Sequence, residues 1–163
     1  RVRLPAFATS ALPDDARFRR KGDLSVKRNI GLALARMLGW ERVAFLDDDI
    51  RSVRPDDMRA AAGLLDEFNM VGLGNTGFPD NSVVCHALRA VGVDQKTFVG
   101  GGAMVVPVRR TTSFFPDIYN EDWFFFAQEA ADRRLPWVGK ARQEEYDPFA
   151  TPGRARRPPG GCP

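Results

Sequence analysis

The chain has 163 residues, 44% of them hydrophobic and 28% charged, which is the composition of one soluble globular domain. No signal-peptide pattern and no apolar run of the ~20 residues that a membrane span needs is visible. Cys85 and Cys162 suggest neither a disulfide framework nor a paired metal motif, so a cytoplasmic protein without a transmembrane segment is expected. The formal net charge is +3, but the excess of basic residues lies in residues 1–21 and 152–163, and the residues between them are net acidic. This distribution argues against nucleic acid as a partner.

The first half of the chain alternates between helical and strand patterns. Residues 1–21 are expected to form a partly ordered lead-in. Apolar residues at helical spacing predict an amphipathic helix over residues 25–38, and the short apolar run 42–46 predicts a buried parallel strand. A second helix is predicted over residues 58–68. The apolar residues of the first helix are Val26, Ile30, Leu34, Met37 and Leu38 at helical spacing, with Leu32, Ala33 and Ala35 between them.

The second half carries further strand patterns and one long helix. Strands are predicted at residues 70–73, 82–87 (strand or turn), 97–99, 103–106 and 135–139. The aromatic-rich helix is predicted over residues 121–134, and the Pro/Gly/Arg-rich residues 148–163 are expected to form a flexible tail after a domain of residues 22–147. Alternating strands and helices predict an α/β fold with a mostly parallel central sheet flanked by helices. Ligands of such sheets bind beyond the carboxyl ends of the strands.

Three aspartates follow the strand pattern of residues 42–46. If the strand continues through them, Asp47 and Asp49 point to the same face. Two carboxylates placed in this way make an oxygen site for Mn²⁺ or Mg²⁺. Such a cation bridges the phosphates of a nucleotide and stabilises the charge on a departing diphosphate. The alternative is a solvated acidic turn that caps the following helix.

A second acidic pair, Glu121 and Asp122, begins the aromatic-rich helix. Acids at a helix start are favoured by the helix dipole, so one interpretation is an N-terminal cap. The other is a general base, which must take the proton from an acceptor hydroxyl as that hydroxyl attacks.

Three other features of the chain could contribute to a binding site. Lys27 and Arg28 in the first helix could reach a diphosphate, although Lys27 is explained equally well as a solvated residue. Glycines at 100–102 permit a close approach of backbone to ligand, or simply a bend in a strand. His86, the single histidine, is assigned no role.

These motifs together resemble the glycosyltransferases of the nucleotide-binding A-type fold, particularly family 2-like enzymes. Residues 25–33 (SVKRNIGLA) are similar to the family's RNxGxxxA helix, and residues 45–49 (FLDDD) to its FLDxD metal motif. Residues 101–103 and 120–123 (GGA and NEDW) are similar to its glycine turn and its ED base motif. The resemblance covers residues 22–140 and implies a chain truncated at its N-terminus, because the family's nucleotide-gripping strand-helix-strand unit does not fit ahead of residue 25.

The resemblance implies metal-dependent transfer of a sugar from a nucleotide-diphospho-sugar donor to a hydroxyl-bearing acceptor, with inversion. The implied residues are, for Mn²⁺ or Mg²⁺, Asp49 and Asp47; for the donor, Arg28, Asn29, Asp47 and Asp48; for the acceptor, Gly101, Gly102 and Trp123; and for catalysis, Asp122 as base with Glu121 beside it. Two alternatives stay open: a catalytically inactive transferase-like binding module or fragment, and a retaining transferase or nucleotidyltransferase on the same fold.

Overall fold

The computed structural model describes residues 23–77, 83–93, 99–118 and 120–145, without the side chains of residues 83–86. The expected lead-in, residues 1–21, and the expected tail, residues 148–163, therefore lie outside the described residues. So do the side chains of Cys85 and His86, and Cys162 as a whole.

The described residues form helices on both faces of one five-stranded sheet. The helices are α1 (Leu24–Met37), α2 (Pro55–Leu64), α3 (Val83–Ala90), α4 (Glu121–Phe125) and α5 (Ala127–Ala131). The strands are β1 (Arg42–Leu46), β2 (Ile50–Val53), β3 (Val71–Thr76), β4 (Ala103–Pro107) and β5 (Trp137–Gln143), in the spatial order β1-β4-β3-β5-β2. None of the helices in this described part of the chain combines the length and apolarity that a membrane crossing requires.

The sheet is mixed and mainly antiparallel. The pairs β1–β4, β3–β4 and β2–β5 are antiparallel, and only β3–β5 is parallel. The prediction of a mostly parallel central sheet is therefore wrong, and an α/β chain with a mixed sheet replaces it. The apolar run of β1 suggested a buried parallel strand, but β1 is an edge strand in which Ala44 and Leu46 are exposed and Phe45 is buried. The fully buried central strand is β4.

Strand β4 separates two hydrophobic cores because its side chains alternate between the faces of the sheet. Met104 and Val106 face a core that α1 and α4 also enter, whereas Ala103 and Val105 face a core that α2 enters. The buried members of the first core are Leu32, Phe45, Met70, Met104, Val106, Phe115, Phe125 and Phe126. The buried members of the second are Ala61, Leu65, Val71, Leu73, Ala103, Val105 and Ala141.

Helix α1 does not bury its apolar face. The residues that it buries are Ser25, Arg28, Asn29, Leu32 and Ala35. Of the apolar residues on which the helix was predicted, Leu32 and Ala35 are buried, whereas Ile30, Leu34, Met37 and Leu38 are 40%, 47%, 67% and 61% exposed. The polar residues turn inward because each has a partner there. Ser25 Oγ donates to the carbonyl of Pro116, and the partners of Arg28 and Asn29 are described with the candidate site below.

Residues 47–49 connect β1 to β2, the two edge strands of the sheet. The Ile50 N–H donates to the Asp47 carbonyl over 3.1 Å, which closes a tight turn. Because only three residues separate the strands, the sheet must bend until its two edges meet at this turn. The aspartates thus lie where both edges converge.

Other elements differ from the sequence-based prediction in type or length. The helix expected over residues 121–134 is divided at Phe126 into α4 and α5. Residues 83–90 form a helix rather than a strand or turn, and β2 was not predicted. Residues 97 and 98 of the strand expected at 97–99 lie outside the described residues.

Candidate functional site

Arg28 joins the two acidic motifs of the sequence. Its Nη2 donates to Asp47 Oδ1 over 2.7 Å, and its Nη1 donates to Glu121 Oε1 over 3.0 Å. Arg28 and Glu121 are 7% and 6% exposed, and the guanidinium carbon lies 5.3 Å from the centre of the Phe115 ring. One guanidinium thus holds together the end of β1 and the start of α4, which the sequence separates by more than 70 residues.

The glycines at 101 and 102 bring the same two motifs together through the backbone. The Gly101 N–H donates to Asp122 Oδ2 over 2.7 Å, and the Gly102 carbonyl accepts from the Asp47 N–H over 3.0 Å. A Cβ at Gly102 would lie 3.0 Å from Asp47 Oδ2. Asp122 and Asp47 therefore flank two successive glycines. Because glycine has no side chain, both carboxylates can lie close to the backbone of Gly101 and Gly102.

Asp49 has a different partner from Asp47. Gln143 Nε2, at the end of β5, donates to Asp49 Oδ2 over 2.7 Å. Asp49 Oδ1 is buried and has no hydrogen-bond partner among the described residues. Burial raises the pKa of the Asp49 carboxyl, the Gln143 hydrogen bond opposes that rise, and the charges of Asp47 and Asp48 add to it. Because β1 ends at Leu46, the expectation that Asp47 and Asp49 share one strand face does not hold.

The acidic turn fits a cation only in part. No group of three or more His, Cys, Asp or Glu side chains in the described ranges is placed to hold a metal ion. Asp49 Oδ1 is nevertheless a hard oxygen ligand without a hydrogen-bond partner, although the Arg51 guanidinium interacts electrostatically with Asp49 and Asp48. Mg²⁺ commonly binds through one or two carboxylates and completes its coordination with water and substrate phosphates. These residues fit a cation of that kind and not one enclosed by protein ligands.

The remaining candidate residues have different environments. Asn29 donates through Nδ2 to the Phe115 carbonyl over 2.8 Å and accepts through Oδ1 from the Phe115 N–H over 2.9 Å, so its amide anchors the segment that carries the Phe115 ring. Asp48 is exposed in the turn. Trp123 is 47% exposed beside Asp122, and its ring centre lies 5.7 Å from that of Phe126.

Gln143, Asn75 and Phe115 were not among the residues that the sequence suggested. Gln143 contacts Asp49, Asn75 Nδ2 donates to Gln143 Oε1 over 3.3 Å, and the Phe115 ring lies against Arg28. None of the three belongs to a recurring pattern. The sequence offered no signal for Asn75 and Gln143, because the predicted strands 70–73 and 135–139 end before them, whereas β3 and β5 extend to Thr76 and Gln143.

Replacing Gly101 by alanine is expected to disturb the site. A Cβ there would lie 2.6 Å from the Asp122 Cβ and 2.8 Å from Arg28 Nη1, so both side chains would have to move. We expect a loss of about 1–3 kcal/mol in the free energy of unfolding, as for other overpacked positions, measured by urea denaturation. Gly31→Ala is the matched control. It lies in α1 with no atom within 4 Å of the added Cβ, and should gain roughly 0.5–1 kcal/mol. Equal effects at both positions would contradict the close approach.

Comparisons with known proteins found little that is similar to this chain. No protein-family model matches the sequence, and no curated protein matches it. Among solved structures, the chain is similar to the crystal structure of A197 from STIV, with a TM-score of 0.47 and 17% sequence identity. The match covers 77% of this chain and 65% of A197, so the chain spans less than two thirds of the length of that protein.

The strand pairing contradicts the resemblance to A-type, family 2-like glycosyltransferases. Such a fold requires a mostly parallel Rossmann-like sheet, and three of the four strand pairs here are antiparallel. The motifs that carried the resemblance are short, and short motifs recur on unrelated folds. Any function has to be argued from the arrangement of Arg28, the two acidic motifs and the glycines between them.

Proposed function

We propose that this chain transfers a sugar from a nucleotide-diphospho-sugar donor to a hydroxyl-bearing acceptor, with Mn²⁺ or Mg²⁺ at the acidic turn. The observation that carries the proposal is the double ion pair of Arg28, which holds Asp47 and Glu121 against one another. It brings an acidic turn suited to a diphosphate-bound cation next to a second carboxylate motif suited to proton transfer. Sugar transfer needs a cation at the diphosphate of the donor and a base at the hydroxyl of the acceptor, and the two must lie close together.

Asp49 and Asp47 would hold the cation, which when bound neutralises the diphosphate as it leaves the sugar. Asp49 offers its unpartnered Oδ1 for this purpose. Arg28 would act indirectly, because both of its terminal nitrogens already donate to carboxylates, and would keep Asp47 in place. This arrangement supports a donor whose phosphates lie at the turn where the two sheet edges meet.

Asp122 is the proposed base. The Gly101 N–H fixes the orientation of its carboxylate. In the proposed step the acceptor oxygen forms a bond to the anomeric carbon, the bond from that carbon to the diphosphate oxygen breaks, and the hydroxyl proton passes to Asp122. An attack from the side opposite the leaving group inverts the anomeric centre. The half-exposed indole of Trp123 lies next to Asp122 and offers an apolar surface against which an acceptor can pack.

The proposal is tested by titrating the chain with common nucleoside diphosphates in the presence of Mn²⁺, followed by calorimetry. We expect heat with at least one nucleotide and none when Mn²⁺ is omitted. If no nucleoside diphosphate binds with Mn²⁺ present, the proposed function is wrong.

Asp122→Asn should spare nucleotide binding and lower sugar transfer by about 10²- to 10⁴-fold, because asparagine can keep one of the two hydrogen bonds that Asp122 accepts, from the Gly101 N–H or the Trp123 N–H, but takes no proton. Transfer is measured as release of nucleoside diphosphate from a panel of nucleotide sugars, with water or added monosaccharides as acceptors. Asp132→Asn, at an exposed aspartate that accepts from Gln128 on α5, is the matched control and should leave transfer unchanged. Full transfer by Asp122→Asn would remove Asp122 from the reaction.

A further inference from the structure

Helix α1 carries four large apolar side chains on the face that points away from the sheet. Ile30, Leu34, Met37 and Leu38 are exposed, and the buried residues of α1 lie on the opposite side of the helix, since an α-helix turns by about 100° per residue. A surface helix normally has its apolar stripe on the inner face and its polar residues outside. Helix α1 therefore has the surface of a helix that is covered on both sides.

The exposed apolar surface continues past the end of the helix. The Gly39 N–H donates to the Arg36 carbonyl over 3.2 Å, and the Trp40 N–H donates to the Ala35 carbonyl over 2.9 Å, which together form a Schellman ending. This ending turns the chain back at the last turn of α1, and the indole of Trp40 is 55% exposed there. The four helix residues and Trp40 form the α1 patch, which exposes roughly 500 Å² of side chain, the size at which an apolar patch marks an interaction site.

The charged residues around the α1 patch balance one another. Asp23 and Lys27 lie at its N-terminal end and pair over 2.9 Å, with both side chains 62% exposed. Arg36 and Glu41 lie at its other end, both exposed, and Glu41 forms no ion pair with another described residue. An anionic lipid surface attracts helices with an excess of lysine and arginine, which these two acids and two bases do not provide. A protein surface with a similar mixture of apolar and charged groups is the better fit.

A second copy of the chain supplies such a surface in one particular register. If two α1 helices pack antiparallel about a two-fold axis at Leu34, residues equally far before and after Leu34 face one another across the axis. Ile30 then faces Leu38, and Lys27 faces Glu41, and each contact occurs twice by symmetry. A parallel arrangement would instead place Lys27 against Lys27. The antiparallel register thus matches apolar residues and opposite charges at the same time.

We propose that this chain forms a two-fold symmetric dimer in which the α1 patches of two copies pack antiparallel about Leu34. Covering both patches removes roughly 1,000 Å² of apolar side chain from water, and the charged rim adds to that area. This area lies at the lower end of specific interfaces, so the dimer is expected to dissociate reversibly on dilution. The proposal does not depend on the proposed function.

The test is analytical ultracentrifugation of the full chain over a range of concentrations. The wild type should shift from monomer to dimer as its concentration rises. Leu34→Glu places two carboxylates against each other at the axis and should weaken association about 30-fold or more, as for residues at the centre of an interface. The variant should fold, because Leu34 is already exposed and glutamate favours helices about as well as leucine, and circular dichroism checks this. Leu88→Glu, at a leucine of α3 that is 42% exposed, is the matched control and should dimerise like the wild type.

Exchanging the rim charges tests the register. Lys27→Glu would face Glu41 of the second copy, and Glu41→Lys would face Lys27, so each single variant should weaken association about 3- to 10-fold. The double variant restores opposite charges across the axis and should associate like the wild type. An interface that does not bring these two positions together would show no such recovery.

Four outcomes would overturn the proposal. One is a wild-type chain that stays monomeric up to about 0.5 mM. Another is a dimer that survives Leu34→Glu, because it would use a different surface. The third is a double charge variant that associates no better than the single variants. The fourth is a monomeric chain that binds vesicles of phosphatidylcholine and phosphatidylserine and loses this binding in Leu34→Glu, since the α1 patch would then dock on a membrane. The proposed function is tested separately, by nucleotide binding.

Discussion

Replacing Arg28 by methionine is expected to lower the free energy of unfolding by about 3–5 kcal/mol, the usual loss when one partner of a buried ion pair is removed. Glu121 is only 6% exposed and would lose the guanidinium that faces it. Asp47 would lose its charge partner as well. The cation–π contact with Phe115 would add a smaller loss. Urea denaturation measures the change, and transfer activity should fall with it because the two acidic motifs lose their connection.

Arg42→Met is the matched control for that variant. Arg42 pairs with Asp66 over 3.3 Å, but both side chains are exposed, and surface ion pairs contribute about 0–1 kcal/mol. A second check is the double variant Arg28→Met with Glu121→Gln, which also removes the buried carboxylate that faced the guanidinium and should be more stable than Arg28→Met alone. If Arg28→Met costs no more than Arg42→Met, the double ion pair does not hold the site together.

The prediction of α1 shows how far a sequence pattern determines structure. The helical spacing of residues 25–38 located the helix to within a residue or two, since that spacing is a local property. It did not determine which face turns inward, because the buried polar residues depend on distant partners. Arg28 pairs with Glu121, and Asn29 with the backbone of Phe115, both more than 80 positions away. Those bonds outweigh burial of the apolar stripe that contains Leu34 and Met37.

The direction of the strands was the part of the fold that the sequence could not supply. The run of residues 42–46 is apolar whether its neighbour is parallel or antiparallel, and composition alone suggested a central strand. The turn at residues 47–49 carried contrary information, since an Asp-rich connection of three residues to a second strand leaves no room for a crossover helix. Because β2 is only four residues long and half exposed, its pattern was too weak to identify.

Within the site, the sequence identified residues that carry charge and missed those that orient them. Asp47, Asp49, Glu121 and Asp122 stood out because carboxylates can ligate a cation or accept a proton, and because they follow a strand pattern or begin a helix pattern. Gln143 lies in a charged stretch near the end of the described chain and has no motif around it. Its role depends on the register between β2, β3 and β5, which no local pattern encodes.

The effect of Asp49→Asn on stability should change sign when Mn²⁺ is added. Without the cation, Asp49 has a buried unpartnered Oδ1, and burial raises the pKa of its carboxyl above the ordinary value of 3.8. A raised folded-state pKa means that the native chain holds the proton more tightly than the unfolded chain does. The ionised carboxylate therefore lowers stability above that pKa, and this loss disappears as the pH falls below the ordinary value. The neutral asparagine can still accept from Gln143 Nε2.

Asp49→Asn should accordingly have a higher unfolding midpoint than the wild type at pH 7 without Mn²⁺, and no such advantage at about pH 3. With saturating Mn²⁺ at pH 7 the order of the two unfolding midpoints should reverse. A ligand that binds only the folded state stabilises it, by an amount that rises with the logarithm of the ligand concentration over Kd. The variant has lost the ligating carboxylate and should gain less of this stabilisation than the wild type. Differential scanning calorimetry measures the unfolding midpoint under all three conditions. Asp132→Asn is the control, and its midpoint relative to the wild type should not change sign.

If Mn²⁺ stabilises Asp49→Asn as much as the wild type, Asp49 is not a ligand. If the variant is less stable than the wild type without Mn²⁺, the unpartnered carboxylate is not a source of instability, and the case for a cation at the acidic turn loses its main support.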